Sequence, residues 1–293
     1  MDIEVLGALA VRVNGVSVVP TAPKPRRVLG LLALHADQVV AVGALVEELW
    51  GALPPRSART TLQTYVLQLR ELIGVALAAP EPQQRQERGE QQEGGGGGRL
   101  GAKDVLATVP GGYRLSTRGG TVDHREFERR AGTGYRAMDA EDYAGAARRL
   151  AGALDLWSGP ALTGLQAGSQ IGMEARRLEE ARLCALAQRI DADLRLGRHR
   201  ELLPELTVLV SRHRMHESLH GQFMVALHRA GRRGEALDVY QRLRTTLVTE
   251  LGLEPSAPLG RLQRSILTAR PDSAPVTAPA AGGTTPQLTA RPA

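Results

Sequence analysis

Arg59, Thr60, Gln63, Thr64, Leu67 and Gln68 lie within RTTLQTYVLQLR at spacings that a helix would gather onto one side. Their combined chemistry is that of reading a nucleic-acid duplex. Arg59 can grip a phosphate or the edge of a guanine, Gln63 or Gln68 can pair with adenine, Thr60 or Thr64 can offer a hydroxyl, and Leu67 can meet a thymine methyl. The opposite side of the stretch carries Leu62, Val66, Leu69 and Ile73, spaced four, three and four, the stripe a helix buries against its own domain. Lys24, Arg26 and Arg27 gather where an earlier helix should begin, and exposed backbone N–H groups there would also favour phosphate. Arg114 and Arg118 lie on or near a later hairpin, from which they would reach the backbone or the minor groove. Each residue alone is equally at home on an ordinary solvated face, so the reading rests on the ordered combination.

Catalytic chemistry finds no comparable support. The chain has no GxxxxGKS/T loop, no HExxH and no GxSxG, so neither a nucleophile nor a metal centre is indicated, and no cofactor is expected. Histidines recur at 199, 213, 216, 220 and 228, with His216 and His220 one turn apart. No third ligand accompanies that pair, which reads as core or surface histidines. Cys184 is the only cysteine, which rules out an intrachain disulfide; its place in LEEARLCALAQRI predicts a buried small apolar residue.

The 293 residues suffice for two ordinary domains, and 42% hydrophobic with 23% charged residues is a globular balance. Aromatics make up only 3%, so Leu, Val and Ala must build the cores. A net charge of +6 and a pI near 10.0 favour anionic partners without choosing one. Residues 1–120 hold 13 Arg and Lys against 11 Asp and Glu, so arrangement must carry the argument. No membrane span or basic signal region is read, and a cytoplasmic protein is expected.

IEVLGALAVRVNGVSVVP reads as short strands around an Asn14-Gly15 hairpin turn. A first helix follows in PKPRRVLGLLALHADQ, with Val28, Leu31, Leu32 and Leu34 or His35 on one face; VVAV is extended; a second helix runs from Gly43 to Trp50, with Leu45, Leu49 and Trp50 inward. The third helix, beginning near Ser57, carries the candidate contacts. Residues 78–104 include five consecutive glycines and read as a flexible insertion. VLATVPGGYRLST then forms a hairpin around Pro110-Gly111-Gly112. Sheet, three helices and basic hairpin, in that order, predict a winged helix over residues 1–120.

From Asp123 to about Thr268 the pattern is helical. Asp142 to Ala147 opens one hairpin-like unit, and Gly197 and Gly231 open two others 34 positions apart. Across that interval Glu201 matches Glu235, Leu203 matches Leu237, Leu206 matches Tyr240, and Leu209 matches Leu243. This is the period of a tetratricopeptide repeat, which predicts an all-α domain over 121–270; an unrelated helical bundle would leave the function reading unchanged. Residues 271–293, rich in Ala, Pro and Thr, read as a disordered tail. The fold class is therefore an α+β winged helix-turn-helix followed by an all-α tetratricopeptide-like domain.

Several long segments resemble one family. PRRVLGLLALHADQVVAVGALVEELWGALPPRSARTTLQTYVLQLRELIG with VPGGYRL is similar to the DNA-binding part of the Streptomyces antibiotic regulatory protein family. DHREFERR, LDLWSGPAL and GQFMVALHRAGRRGEALDVYQRLRTTLVTELGLEPSAPLGRLQRSIL resemble its bacterial transcriptional activator domain. The resemblance covers roughly residues 3–268. It implies an activator of secondary-metabolite gene clusters that binds direct repeats in double-stranded promoter DNA and recruits RNA polymerase, often as two protomers side by side. By the same resemblance, Arg59, Thr61, Leu62, Tyr65, Val66, Leu69 and Arg70 occupy the recognition-helix pattern, and Gly111, Gly112 and Tyr113 the wing. With Leu62, Val66 and Leu69 in the core, Arg59, Thr61, Tyr65 and Arg70 are left to face DNA. The chain departs from the family at Leu67 and Gln68, where Ser and Arg are common, and at Glu71, whose carboxylate opposes phosphate binding. The alternatives are a repeat scaffold or an effector-responsive regulator without strong DNA binding; burial of the outward face of residues 59–71 would favour the scaffold.

Overall fold

A computed structural model describes residues 1–79 and 101–268. Most of the expected insertion and all of the expected tail lie outside the described residues. The described residues divide into two compact units between Leu209 and Val210.

The first unit opens with the antiparallel strands β1 (Asp2–Glu4), β2 (Ala10–Val13) and β3 (Val16–Ser17). Val13 pairs with Val16, leaving Asn14 and Gly15 as a two-residue turn at φ of 50° and 77°. Two consecutive positive φ values are what the right-handed strand twist requires of so short a loop, and this dipeptide tolerates them. Helix α1 (Pro23–Leu34) follows, then β4 (Val39–Ala41), α2 (Val42–Trp50) and α3 (Ala58–Ala78). Past the undescribed stretch, α4 (Ala102–Val105) occupies the end of the expected insertion and leads into the hairpin β5 (Leu106–Val109) and β6 (Gly112–Leu115). β6 lies between β4 and β5, completing a winged helix-turn-helix. Gly112 permits that pairing, because a Cβ there would lie 2.1 Å from the Val40 carbonyl oxygen.

Helices α5 (Asp123–Asp139), α6 (Tyr143–Leu154), α7 (Ser169–Arg195) and α8 (Leu203–Arg212) continue the chain, α8 crossing the division between the units. The change of architecture near residue 120 is not a break in the core. One apolar cluster contains Ile3, Val5, Leu6, Leu32 and Leu62 together with Phe127, Trp157, Ile171 and Leu178. Backbone bonds reinforce it: Ser158 N–H donates to the Leu6 carbonyl and Leu162 N–H to that of Val5, both at 2.9 Å. Asp123 Oδ2 accepts the N–H groups of Val5 and Leu6 at 2.8 Å each. The second unit holds α9 (Glu217–Arg229), α10 (Arg233–Leu251) and α11 (Ala257–Thr268).

Three of the turns between helices share one device. Glu141, Gly197 and Gly231 sit at φ of 59°, 80° and 79°. The N–H of the residue after each reaches back to close the helix end: Asp142 to the Ala137 carbonyl, Arg198 to Asp193, and Arg232 to Leu227. This is the C-terminal closure in which a left-handed residue satisfies carbonyls that the helix leaves unpaired. The two glycine turns lie 34 positions apart, whereas Glu141 precedes Gly197 by 56, so the period of 34 holds for one interval alone. The pairing is also imperfect within that interval: Glu235 lies inside α10, whereas Glu201 lies in a turn before α8.

Cys184 corrects an expectation. Ala185 takes the buried position on α7, which turns Cys184 about 100° around the axis into an exposed one.

Candidate nucleic-acid interface

Helix α3 divides as its spacing predicts. Ala58, Leu62, Val66, Leu69, Ile73 and Ala76 are buried, while Arg59, Thr60, Gln63, Thr64, Leu67, Gln68 and Glu71 are exposed. Leu67 is 56% exposed, an apolar side chain among polar neighbours with nothing of its own domain to cover it. Thr64 Oγ1 donates to the Thr60 carbonyl at 3.2 Å, so its hydroxyl proton is spent within the helix and its lone pairs face outward as acceptors. The exposed side chains follow a helix of 21 residues, about 30 Å long.

The first turn of α3 is electrostatically incomplete. It has no side-chain cap and no carboxylate, yet it carries Arg59. A cation at the positive end of a helix dipole is unfavourable for the isolated helix by a few tenths of a kcal/mol, and an approaching anion reverses the sign. Arg56, just before the helix, is also exposed. Sequence reasoning passed over it because it stands outside the helical period; the signal was a cation immediately ahead of an uncapped helix start.

Other candidates have structural work. Arg70 donates through Nε and Nη2 to the Leu106 carbonyl at 3.0 and 2.9 Å, and through Nη2 to Thr108 Oγ1 at 2.8 Å. It straps β5 to α3 and holds the wing against the helix. Tyr65 packs its half-buried ring against the core, and Thr61 is half-buried.

At the start of α1, Lys24 is exposed with its ammonium 5.2 Å from the Trp50 ring centroid, a cation–π contact. Arg26 and Arg27 are half-buried. Arg27 Nη1 donates to the Glu48 carbonyl at 3.1 Å and belongs to the interior of the fold. The expected cluster of backbone donors is thin here, because Pro23 and Pro25 have no N–H and Arg26 N–H is bonded to the Ala22 carbonyl.

In the wing, Pro110-Gly111 forms the tip, with Gly111 at φ 82°, and Arg114 is exposed along β6. Arg118 is not at the tip. It follows the far end of β6, at φ 55°, where its Nη2 donates to the Asp104 carbonyl at 3.2 Å. The structure thus gathers the exposed residues of α3 onto one face and leaves Arg27, Arg70 and Arg118 tied to carbonyl groups.

The histidine pair is engaged with backbone. His216 Nδ1 accepts the Leu219 N–H at the start of α9, and His220 Nδ1 lies 3.1 Å from the His216 carbonyl. Among the described residues no group of three or more potential ligands could hold a metal ion, and no helix is long and apolar enough to cross a membrane.

Two family models match this chain. The bacterial transcriptional activator domain covers residues 122–267, and the C-terminal domain of transcriptional regulatory proteins covers 17–84. Regulatory protein DnrI of Streptomyces peucetius is 51% identical over 271 residues, spanning 92% of this chain and 93% of that protein. Transcriptional regulatory protein EmbR of Mycobacterium tuberculosis is 32% identical over 271 residues, of which this chain spans 64%. A solved structure of Mycobacterium tuberculosis EmbR in complex with a low affinity phosphopeptide superposes with a TM-score of 0.77 at 31% identity, covering 92% of this chain and 65% of that one. These relatives are regulatory proteins, and the winged helix with its exposed α3 face is the part suited to DNA. The chain belongs to the Streptomyces antibiotic regulatory protein family of DNA-binding transcriptional regulators.

Proposed function

We propose that this regulator binds direct repeats in double-stranded promoter DNA, recruits RNA polymerase through its helical domain, and so activates a secondary-metabolite (antibiotic) biosynthetic gene cluster. Helix α3 enters the major groove. Arg59 and Arg56 meet phosphate or guanine at its start; Thr60, Gln63, Thr64, Leu67 and Gln68 face base edges; Arg114 reaches the backbone from the wing. Lys24 and Arg26 contribute charge near the start of α1. Arg70 and Arg118 serve by fixing the wing, and two protomers occupy adjacent repeats side by side.

One observation carries this reading: the outward face of α3 is open to solvent from Arg59 to Glu71. A repeat scaffold without DNA binding would have no need of an uncovered Leu67 beside polar groups, and the burial of that face that would have favoured the scaffold is not found. Glu71 is exposed at the end of the face, where its carboxylate disfavours phosphate and narrows the contact to the first turns of α3.

The test is a footprint over candidate promoters with the parent chain and Arg59→Ala at matched salt. The variant is expected to bind about tenfold more weakly, the loss of one good arginine contact, with an unchanged or slightly raised melting temperature. Equal affinity would remove Arg59 from the interface, and failure of the parent to protect any repeat would remove the DNA reading.

A further inference from the structure

We infer that Glu48 is a positioning residue, the joint that fixes the direction in which α7 leaves the winged helix. The inference rests on the function proposed above, since it concerns how a DNA-bound wing presents the helical domain to its partner.

Helix α7 begins at Gly168 with no side-chain cap of its own and no carboxylate in its first turn. The cap comes from α2. Glu48 Oε1 accepts the Gly168 N–H, while Oε2 accepts those of Gln170 and Ile171 at 3.0 Å each. The amides at a helix start point along its axis, so a single carboxylate that binds three of them sets both the position and the tilt of the helix. Glu48 is buried to 1% exposure, and Arg27 Nε from α1 lies 3.9 Å from Oε1 to balance the charge. Around it, Glu47 accepts from Ser169 Oγ at 3.0 Å and from Gln170 Nε2 at 3.1 Å.

The backbones have no slack at this point. A Cβ on Gly168 would stand 2.3 Å from the Glu48 carbonyl oxygen, so α2 and the start of α7 meet backbone to backbone. Helices α1, α2 and α3 share the core that α7 enters, so the tilt of α7 is fixed relative to the DNA-facing side of α3. A stiff connection keeps a second contact at high effective concentration only where the geometry fits, and a loosened one spreads that concentration over many geometries.

Activation should therefore depend sharply on the number of base pairs between the repeats and the polymerase site. The experiment uses the full chain, Glu48→Gln, and a promoter series that steps this spacing through one helical turn. The side-chain amide keeps the volume but turns an N–H donor toward the α7 amides. Glu48→Gln is expected to bind the repeats within about twofold of the parent while activation at the best spacing falls about fivefold and its dependence on spacing flattens. Hydrogen exchange at Gly168, Gln170 and Ile171 should accelerate. Glu47→Gln, on the exposed rim, keeps the measurement available if Glu48→Gln folds poorly, and should shift the same readouts less. A variant that loses activation equally at all spacings, or in proportion to DNA affinity, would reduce Glu48 to a stabilising role and overturn the inference. Unchanged exchange in the first turn of α7 would overturn it independently of any promoter. Failure of the parent to bind or activate would count against the proposed function instead.

Discussion

The arginines of the winged helix and those of helices α5 to α7 differ in company. Arg56, Arg59 and Arg114 are exposed, and none takes part in an ion pair or hydrogen bond among the described residues. In the helices, Arg129 and Arg130 share Glu126, Arg177 bridges Glu174 and Glu128, Arg195 holds Asp191, and Arg189 and Arg198 converge on Asp193. The bidentate grip of Arg129 and the bond from Arg130 hold the Glu126 carboxyl down at about 2. A near-neutral first 120 residues thus conceals uncompensated cations beside the open face of α3 and along the wing, whereas most arginines of α5 to α7 are paired, with Arg136, Arg148 and Arg176 the exposed exceptions. Charge that is already paired gains little from an anionic partner; unpaired charge at an uncapped helix start gains the whole contact.

Removing the central carboxylate of the paired region gives the largest expected effect. Asp193→Ala leaves Arg189, whose side chain is 15% exposed, with Glu205 alone and frees Arg198. Chemical denaturation should show a loss of about 3 kcal/mol, as for other broken buried charge pairs, with DNA affinity unchanged. An equal loss of DNA binding would erase the distinction between the two regions.

Acid should weaken the paired region next. Burial pushes His124 down to about 4, against an ordinary 6.5, with Glu128, Arg125, Arg177 and Glu174 as its charged neighbours. The imidazole is neutral when folded but protonates readily when unfolded. Its contribution is therefore intact above pH 6.5 and is lost as pH falls toward 4, by about 2–3 kcal/mol. Denaturation at pH 7 and pH 4.5 should show a smaller acid loss in His124→Leu than in the parent; parallel losses would contradict the assignment.

Arg114→Ala should be the mildest. It removes one wing cation that has no internal partner, so stability should stay within about 0.5 kcal/mol while binding weakens several-fold on all sequences alike. The slope of log affinity against log salt should fall by about one. A sequence-dependent loss would move Arg114 from phosphate to base contact and sharpen the contrast with the helical arginines.

Much of this is legible in the sequence. Alternating Leu62, Val66, Leu69 and Ile73 defined both the buried stripe of α3 and, by subtraction, its open face. Asn14-Gly15 marked its two-residue turn because few dipeptides accept two positive φ values, and Pro110-Gly111-Gly112 marked the second hairpin, whose turn the structure narrows to Pro110 and Gly111 with Gly112 paired in β6. Illegible were the assignments that depend on partners distant in the chain. Arg70 and Arg59 look alike in sequence, yet one is strapped to Leu106 and the other is unpaired. Cys184 and Ala185 differ by one step around a helix, and only packing decides which is inward. The unit opening at Asp142 is legible, but the left-handed turn at Glu141 just before it is not, since a non-glycine residue at φ 59° gives no sequence signal and is held there by the closure around it.

Local rules, acting within a few residues, wrote the elements into the sequence: periodicity sets which side of each helix is apolar, and turn chemistry sets where strands reverse. Tertiary structure alone decided which charges are spent and which remain available. Glu48 shows why, because its three amide partners lie 120 or more positions away and become neighbours only when α2 and α7 meet. A hydrogen bond is specified by distance in space, and no spacing along a chain encodes that distance until the core has formed.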